Sequence, residues 1–252
     1  MMRRLVGSEM CIRDRAIPSS FRIQRMLLDR IENSQTGEVL IPEMHVEISD
    51  NIIQQATALA EVLGDELWSS LPTVETLESQ SKDASEMLLD INWRPALSVI
   101  GADGIPSVQS AGNVLRTNTD LKISFRIPPG VNAEEVQDVV KQILEENPPD
   151  GAEVTYNPTE PADGFHAPPL HEGIASALES TSLHLTGKPP MSTWIGGTIP
   201  FMAMIQNKYP NACFLCTGSS GPGNNAHGPD EKLHIPHSKR VNVALAAAIA
   251  AL

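Results

Sequence analysis

Hydrophobic positions recur at two spacings along this chain, and each spacing marks a different kind of element. From Phe21 to Ile31 the residues Ile23, Met26, Leu27 and Ile31 return every three or four positions, which predicts a helix that Ser19 or Ser20 can cap. Asn51 to Leu63 and Val74 to Leu89 read as two more helices, with Pro42, Pro72 and Pro95 breaking the pattern around them. Leu121 to Ile127 alternates strictly. Leu121, Ile123, Phe125 and Ile127 face one way, and Lys122, Ser124 and Arg126 face the other, as in a half-buried strand. Asn132 then caps an amphipathic helix with the stripe Val136, Val139, Val140, Ile143 and Leu144. Pro148 to Gly151 turns the chain into a second strand, Ala152 to Tyr156. These elements predict an α+β layer.

The segment Pro158 to Gly164 reads as a linker, and the pattern changes after it. Leu170 to Leu185, Ile199 to Lys208 and Ser238 to Leu252 read as helices, the last with the stripe Val241, Leu245, Ala248 and Leu252. Met191 to Ile195 and Ala212 to Thr217 read as strands between them. Strand alternating with helix predicts an α/β layer with a parallel sheet.

Composition narrows the function classes. Eighteen lysines and arginines against 31 aspartates and glutamates leave a net charge of −13. No cationic face for a phosphate backbone is expected from that balance, so nucleic acid is not an expected partner. No apolar run is long enough for a membrane span, so no membrane partner is expected either. Three cysteines make no disulfide framework, and the simpler reading is a reducing, cytoplasmic location. Cys213 and Cys216 have the C-x-x-C spacing but fall in the expected strand Ala212–Thr217. Residues three apart on a strand point to opposite faces, so a core role is expected for them rather than a metal or redox site. Residues 1–15 carry four arginines and fit nothing that follows. They read as a non-native leader of translated adapter sequence, with a disordered native tail as the alternative.

A few residues stand in patterns that suit chemistry. Gly196-Gly197-Thr198 joins an expected strand to an expected helix. Glycines there let a ligand approach the backbone, and free N–H groups at a helix start favour a carboxylate or phosphate; a plain tight turn fits equally well. His227 sits in a loop rich in glycine, proline and asparagine after a strand, where open α/β sheets place their sites. It suits a metal ligand, or simply an exposed loop histidine. A zinc site from His227, His234 and His237 lacks compact ligand spacing. Arg126, on the polar face of its strand, can grip a carboxylate with two parallel hydrogen bonds, and Asn113 precedes that strand. His45, His166, His171 and His184 have no evident partners.

Four segments together resemble the two-zinc metallopeptidase family that includes acetylornithine deacetylase, succinyl-diaminopimelate desuccinylase, aminoacylase and carnosinase. They are Ile17-Pro-Ser-Ser-Phe-Arg-Ile23, Asn113-Val-Leu-Arg116 with Ile123-Ser-Phe-Arg-Ile127, Gly196-Gly-Thr-Ile-Pro200, and Ala226-His-Gly-Pro-Asp-Glu231. The resemblance implies an α/β fold: the C-terminal part of a zinc-peptidase catalytic domain, residues 163–252, preceded by an α+β lid or dimerisation domain, residues 16–162. It implies a homodimer formed through the lid and a small peptide or N-acyl amino acid as substrate. By resemblance His227 matches a ligand of the second of two zinc ions. Gly196, Gly197 and Thr198 match the loop that holds the substrate carboxylate, and Asn113 and Arg126 match lid residues that close on the substrate.

The family's H-x-D zinc motif and its paired acidic residues belong to the N-terminal half of the catalytic domain, and no segment here has that context; Glu134-Glu135 sits in the first turn of a helix, where acids suit the dipole. The chain therefore reads as a C-terminal fragment of an amidohydrolase or peptidase. It is expected to be inactive as given and not to hold zinc tightly. The competing reading is a non-catalytic dimerisation or ligand-binding module.

Overall fold

The computed structural model describes residues 16–112, 114–194, 200–221, 223–226 and 228–252. The chain divides into two compact units. The first holds the described residues up to Glu47 together with Trp93–Gly164; the second holds Ile48–Asn92 and most of the chain after Phe165. The break after Gly164 lies two residues beyond the expected one at 162. Residues 48–92, however, group with the second unit, outside the continuous 16–162 span read from the sequence.

In the first unit α1 (Ser20–Leu28) leads into a tight turn, and Leu40 N–H donates to the Ile31 carbonyl at 2.8 Å. That pairing drives Ile31, Val39, Ile41 and Met44 into the interior, where each is at most 1% exposed. β1 (Ala96–Asp103) and β2 (Asp120–Arg126) pair antiparallel, with Ala96 opposite Arg126 and Asp103 opposite Asp120. The register slips between Val99 and Gly101. Gly104 leaves β1 at φ 76°, and a Cβ there would lie 2.5 Å from the Asn118 carbonyl oxygen, so only glycine fits.

α5 (Ala133–Glu145) organises this unit. Asn132 caps it, its Oδ1 accepting from Glu134 N–H at 3.0 Å and Glu135 N–H at 3.3 Å. Val136, Val140 and Leu144 bury a stripe against Ile31, Ile41, Met44 and Ile127. At its other end the Arg30 guanidinium donates to the carbonyls of Ile143 and Glu146 at 2.8 Å and of Asn147 at 2.6 Å. These are carbonyls a helix terminus leaves unpaired.

The second unit is helical: α2 (Asp50–Leu63), α3 (Glu66–Ser69), α4 (Ala84–Trp93, of which Trp93 belongs to the first unit), α6 (Glu172–Thr186), α7 (Pro200–Lys208) and α8 (Ile235–Ala250). α2 buries Ile52, Ala56 and Leu59, spaced as one helical face. α6 packs on α8, and a Cβ on Gly173 would sit 3.0 Å from the Ala251 carbonyl, so the two backbones approach closely there. Phe165 and Phe214 meet edge to face, 5.0 Å between ring centres.

Several expectations change. The helix read from Val74 begins only at Ala84, and Val74 and Leu77 stay 68% and 53% exposed. Ala152–Tyr156 keeps a strand's alternation, with Ala152, Val154 and Tyr156 half-buried and Glu153 and Thr155 exposed, but forms no ladder. Ala212–Thr217 is likewise no strand, and both Cys213 and Cys216 are exposed rather than in a core. Among the described residues the only sheet is the antiparallel β1–β2 pair, so the parallel sheet expected after residue 163 is not formed there. A short apolar run reads the same whether or not a neighbouring strand exists to pair with it, and pairing is what makes a strand. The molecule is a mixed α/β protein of helices with a small sheet.

Candidate functional site

Of the site residues expected from the sequence, Arg126 falls among the described residues. It ends β2, exposed, with the buried Ile127 and Pro128 immediately behind it. Within the described residues its guanidinium makes no hydrogen bond or ion pair, so its five donors are available to an anion. Asn113, Gly196, Gly197, Thr198 and His227 lie outside the described residues.

Hydrogen bonds among described residues on either side of position 227 shape this loop. Asn224 is 8% exposed; its Nδ2 donates to the Ser219 carbonyl at 3.2 Å, and its own carbonyl accepts from Lys232 N–H at 2.8 Å. Asn225, at φ 53°, donates through Nδ2 to the Pro229 carbonyl, and its main-chain carbonyl accepts from Gly228 N–H at 2.9 Å. A Cβ on Gly228 would fall 2.7 Å from the Asn225 side-chain amide, which would have to shift to admit it. Sequence reasoning passed over both asparagines. The signal was present: asparagine tolerates positive φ and bonds nearby backbone.

Three other histidines bond the backbone through their rings. His234 Nδ1 accepts from His237 N–H at 3.1 Å and caps α8; His171 Nδ1 accepts from Gly173 N–H at 3.2 Å and caps α6. His45 Nε2 donates to the Val39 carbonyl at 2.7 Å. Among the described residues no group of three or more histidines, cysteines or acids gathers as a metal cage. Nor is any helix among them long and apolar enough to cross a membrane.

No family model matches the chain. It is 29% identical over 161 residues to cysteinylglycine-S-conjugate dipeptidase of Corynebacterium striatum, a match covering 62% of this chain and 34% of that protein. The dipeptidase Dug1p of Saccharomyces cerevisiae has a similar structure, with a TM-score of 0.71 and 20% identity, over 98% of this chain and 51% of that one. Human carnosine dipeptidase 1 matches at 0.70 and 18%, over 95% and 51%. The M20 family metallo-carboxypeptidase Sso-CP2 of Sulfolobus solfataricus matches at 0.65 and 13%, over 95% and 54%. The likeness to the two-zinc metallopeptidase family read from the four sequence segments is therefore borne out. The chain spans about half the length of these solved relatives and about a third of the curated one.

Proposed function

We propose that this chain carries the substrate-gripping portion of a zinc-dependent peptidase that cleaves an amide bond beside a substrate carboxylate, with dipeptides as the substrate class. One observation carries the reading: the likeness to dipeptidases in both sequence and fold, extending over nearly the whole chain in the case of the yeast enzyme. In this reading residues 16–162 act as lid and dimerisation region, and 163–252 belong to the catalytic domain.

Each site residue then has a defined task. Arg126 and Asn113 close on the substrate, the Arg126 fork pairing with a carboxylate or a carbonyl oxygen. Gly196, Gly197 and Thr198 hold the substrate's carboxylate through backbone N–H groups. His227 contributes one ligand to one of two zinc ions. A hydrolytic zinc needs about three protein ligands, and the described residues gather no such set. In this reading the chain's own task is to bind and orient the substrate. Among the described residues β1 pairs on one side only, and Val99 on it is 49% exposed, which supports a homodimer through this unit. The acidic balance and the cysteine usage support a cytoplasmic protein that acts on small peptides.

The test is direct. The purified chain with added zinc is expected to leave cysteinylglycine and β-alanyl-histidine intact, while a longer read of the gene upstream shows H-x-D and a paired Glu-Glu. Zinc-dependent turnover by the 252-residue chain overturns the incomplete site. A stop codon directly upstream favours the non-catalytic module.

A further inference from the structure

Three aspartates of the first unit stand directly before glycine: Asp103-Gly104, Asp150-Gly151 and Asp163-Gly164. In such a pair the backbone nitrogen of the glycine can reach the side-chain carboxyl of the aspartate, because no Cβ blocks the approach. All three aspartates are exposed, so access to water does not separate them. Local restraint does.

At Asp163 both partners are held. Its Oδ1 accepts from Ala133 N–H at 2.9 Å, at the start of α5. Gly164 bridges to Pro129, and a Cβ on it would lie 2.7 Å from the Pro128 carbonyl. At Asp103 the backbone is held. The residue is the last rung of the β1–β2 ladder, opposite Asp120. Gly104 after it is boxed in, with the Asn118 carbonyl oxygen 2.5 Å from a Cβ position. Asp150 has no such frame. It lies in the turn Pro149–Gly151 at φ 55° and ψ 20°, a left-handed conformation that aspartate tolerates without favouring. Gly151 N–H makes one long bond, 3.3 Å to the Pro148 carbonyl. Among the described residues nothing comes within 4 Å of a Cβ position on Gly151. The Asp150 carboxylate accepts from Arg22 Nη2 at 3.3 Å, an ion pair exposed at both ends and therefore a weak restraint.

We infer that Asp150-Gly151 is a site of spontaneous covalent modification, the isomerisation of aspartate to isoaspartate through a cyclic imide. Gly151 N attacks Asp150 Cγ. The new N–Cγ bond closes the ring, and the amide hydrogen leaves with the hydroxyl of the protonated carboxyl as water. Water then reopens the ring at either carbonyl. Opening at Cγ restores aspartate. Opening at the main-chain carbonyl leaves the chain running through Cβ and Cγ, with the former main-chain carbonyl as a free carboxylate. One water leaves and one returns, and nothing is oxidised or reduced.

Closure needs the peptide plane after the aspartate to turn about the Cα–C bond. At Asp103 that turn breaks the last rung of the ladder. At Asp163 it gives up the bond to Ala133 and drives Gly164 against Pro128. At Asp150 it gives up one long turn bond. The product lengthens the main chain by one carbon between α5 and the segment 152–156, and it moves the carboxylate away from Arg22 on α1. This inference does not rest on the peptidase reading.

The test keeps the full chain at neutral pH and body temperature for several weeks. Electron-transfer fragmentation of its digest then separates aspartate from isoaspartate at each of the three sites. Isoaspartate is expected to accumulate at 150 about fivefold or more faster than at 103 or 163, the factor that one retained hydrogen bond contributes. The same incubation in concentrated urea removes the folded restraints, and the three sites are expected to agree within about twofold. Asp150→Glu keeps a carboxylate for Arg22 but lengthens the side chain past easy closure. It is expected to abolish the signal at 150 and leave the other two sites unchanged. A folded-state rate at 103 or 163 equal to that at 150 overturns the inference. So does the absence of isoaspartate at 150 in the folded chain, or a lead for 150 that persists in urea, which assigns the effect to local sequence. If Asp150→Glu does not fold, the comparison of sites in the parent chain still decides.

Discussion

Replacing Arg30 with methionine should loosen the first unit measurably. The side chain bridges the end of α1 to the end of α5 through three carbonyls at 2.8, 2.8 and 2.6 Å. Hydrogen bonds from a charged donor contribute about 1.5–3 kcal/mol where they are shielded, and less in solvent. Only the bond to Ile143 is partly shielded; the other two are exposed. A cation at a helix C-terminus adds about 0.3–1 kcal/mol. Methionine keeps the aliphatic stem, so the packing loss is small. The sum is about 2 kcal/mol, which for a chain of this size lowers the melting temperature by roughly 4–8 °C. Arg30→Lys should recover less than half of that, because one ammonium cannot reach three carbonyls in a fixed fork. Thermal melting should be paired with hydrogen exchange of residues 133–145, since the chain has two units and a global signal mixes them. A methionine variant that melts within about 1 °C of the parent, or a lysine variant that matches arginine, refutes the clamp.

Three further changes test the same unit. Asn132→Ala should cost about 1 kcal/mol in urea unfolding while Asn132→Asp costs little, because the cap accepts two backbone N–H bonds. Gly104→Ala should cost about 2 kcal/mol or more by the same measurement, since its φ of 76° and the Asn118 carbonyl both exclude a side chain. Burial raises the Tyr156 phenol above its usual 10.0. The unfolded chain then loses this proton first as pH rises, so stability is kept below pH 10 and lost as pH climbs toward the folded value. Tyr156→Phe should flatten that alkaline limb in melts taken above pH 9.5.

What the sequence disclosed depended on whether a local signal was complete. Asn132 followed by a clean apolar stripe predicted α5 and its cap, because cap and periodicity agree. The strict alternation of Leu121 to Ile127 located β2, which runs one residue earlier at each end, Asp120–Arg126. β1 went unread: Ala96–Asp103 has no alternation to show, and its register slips at Ile100. The late start of α4 was legible in hindsight. Asp83 accepts from Glu86 N–H at 2.9 Å, a D-x-x-E signal that outweighs the apolar Val74 and Leu77 ahead of it. The Cys213–Cys216 run was read as buried from its apolar neighbours, yet burial needs a second layer that composition does not reveal. Arg30 could not have been found from the sequence, for its partners lie 113 to 117 residues away. At the candidate site, Arg126 on the polar face of β2 was legible from alternation. The asparagines flanking residue 227 were not, because a turn residue acquires its role only from the carbonyls around it.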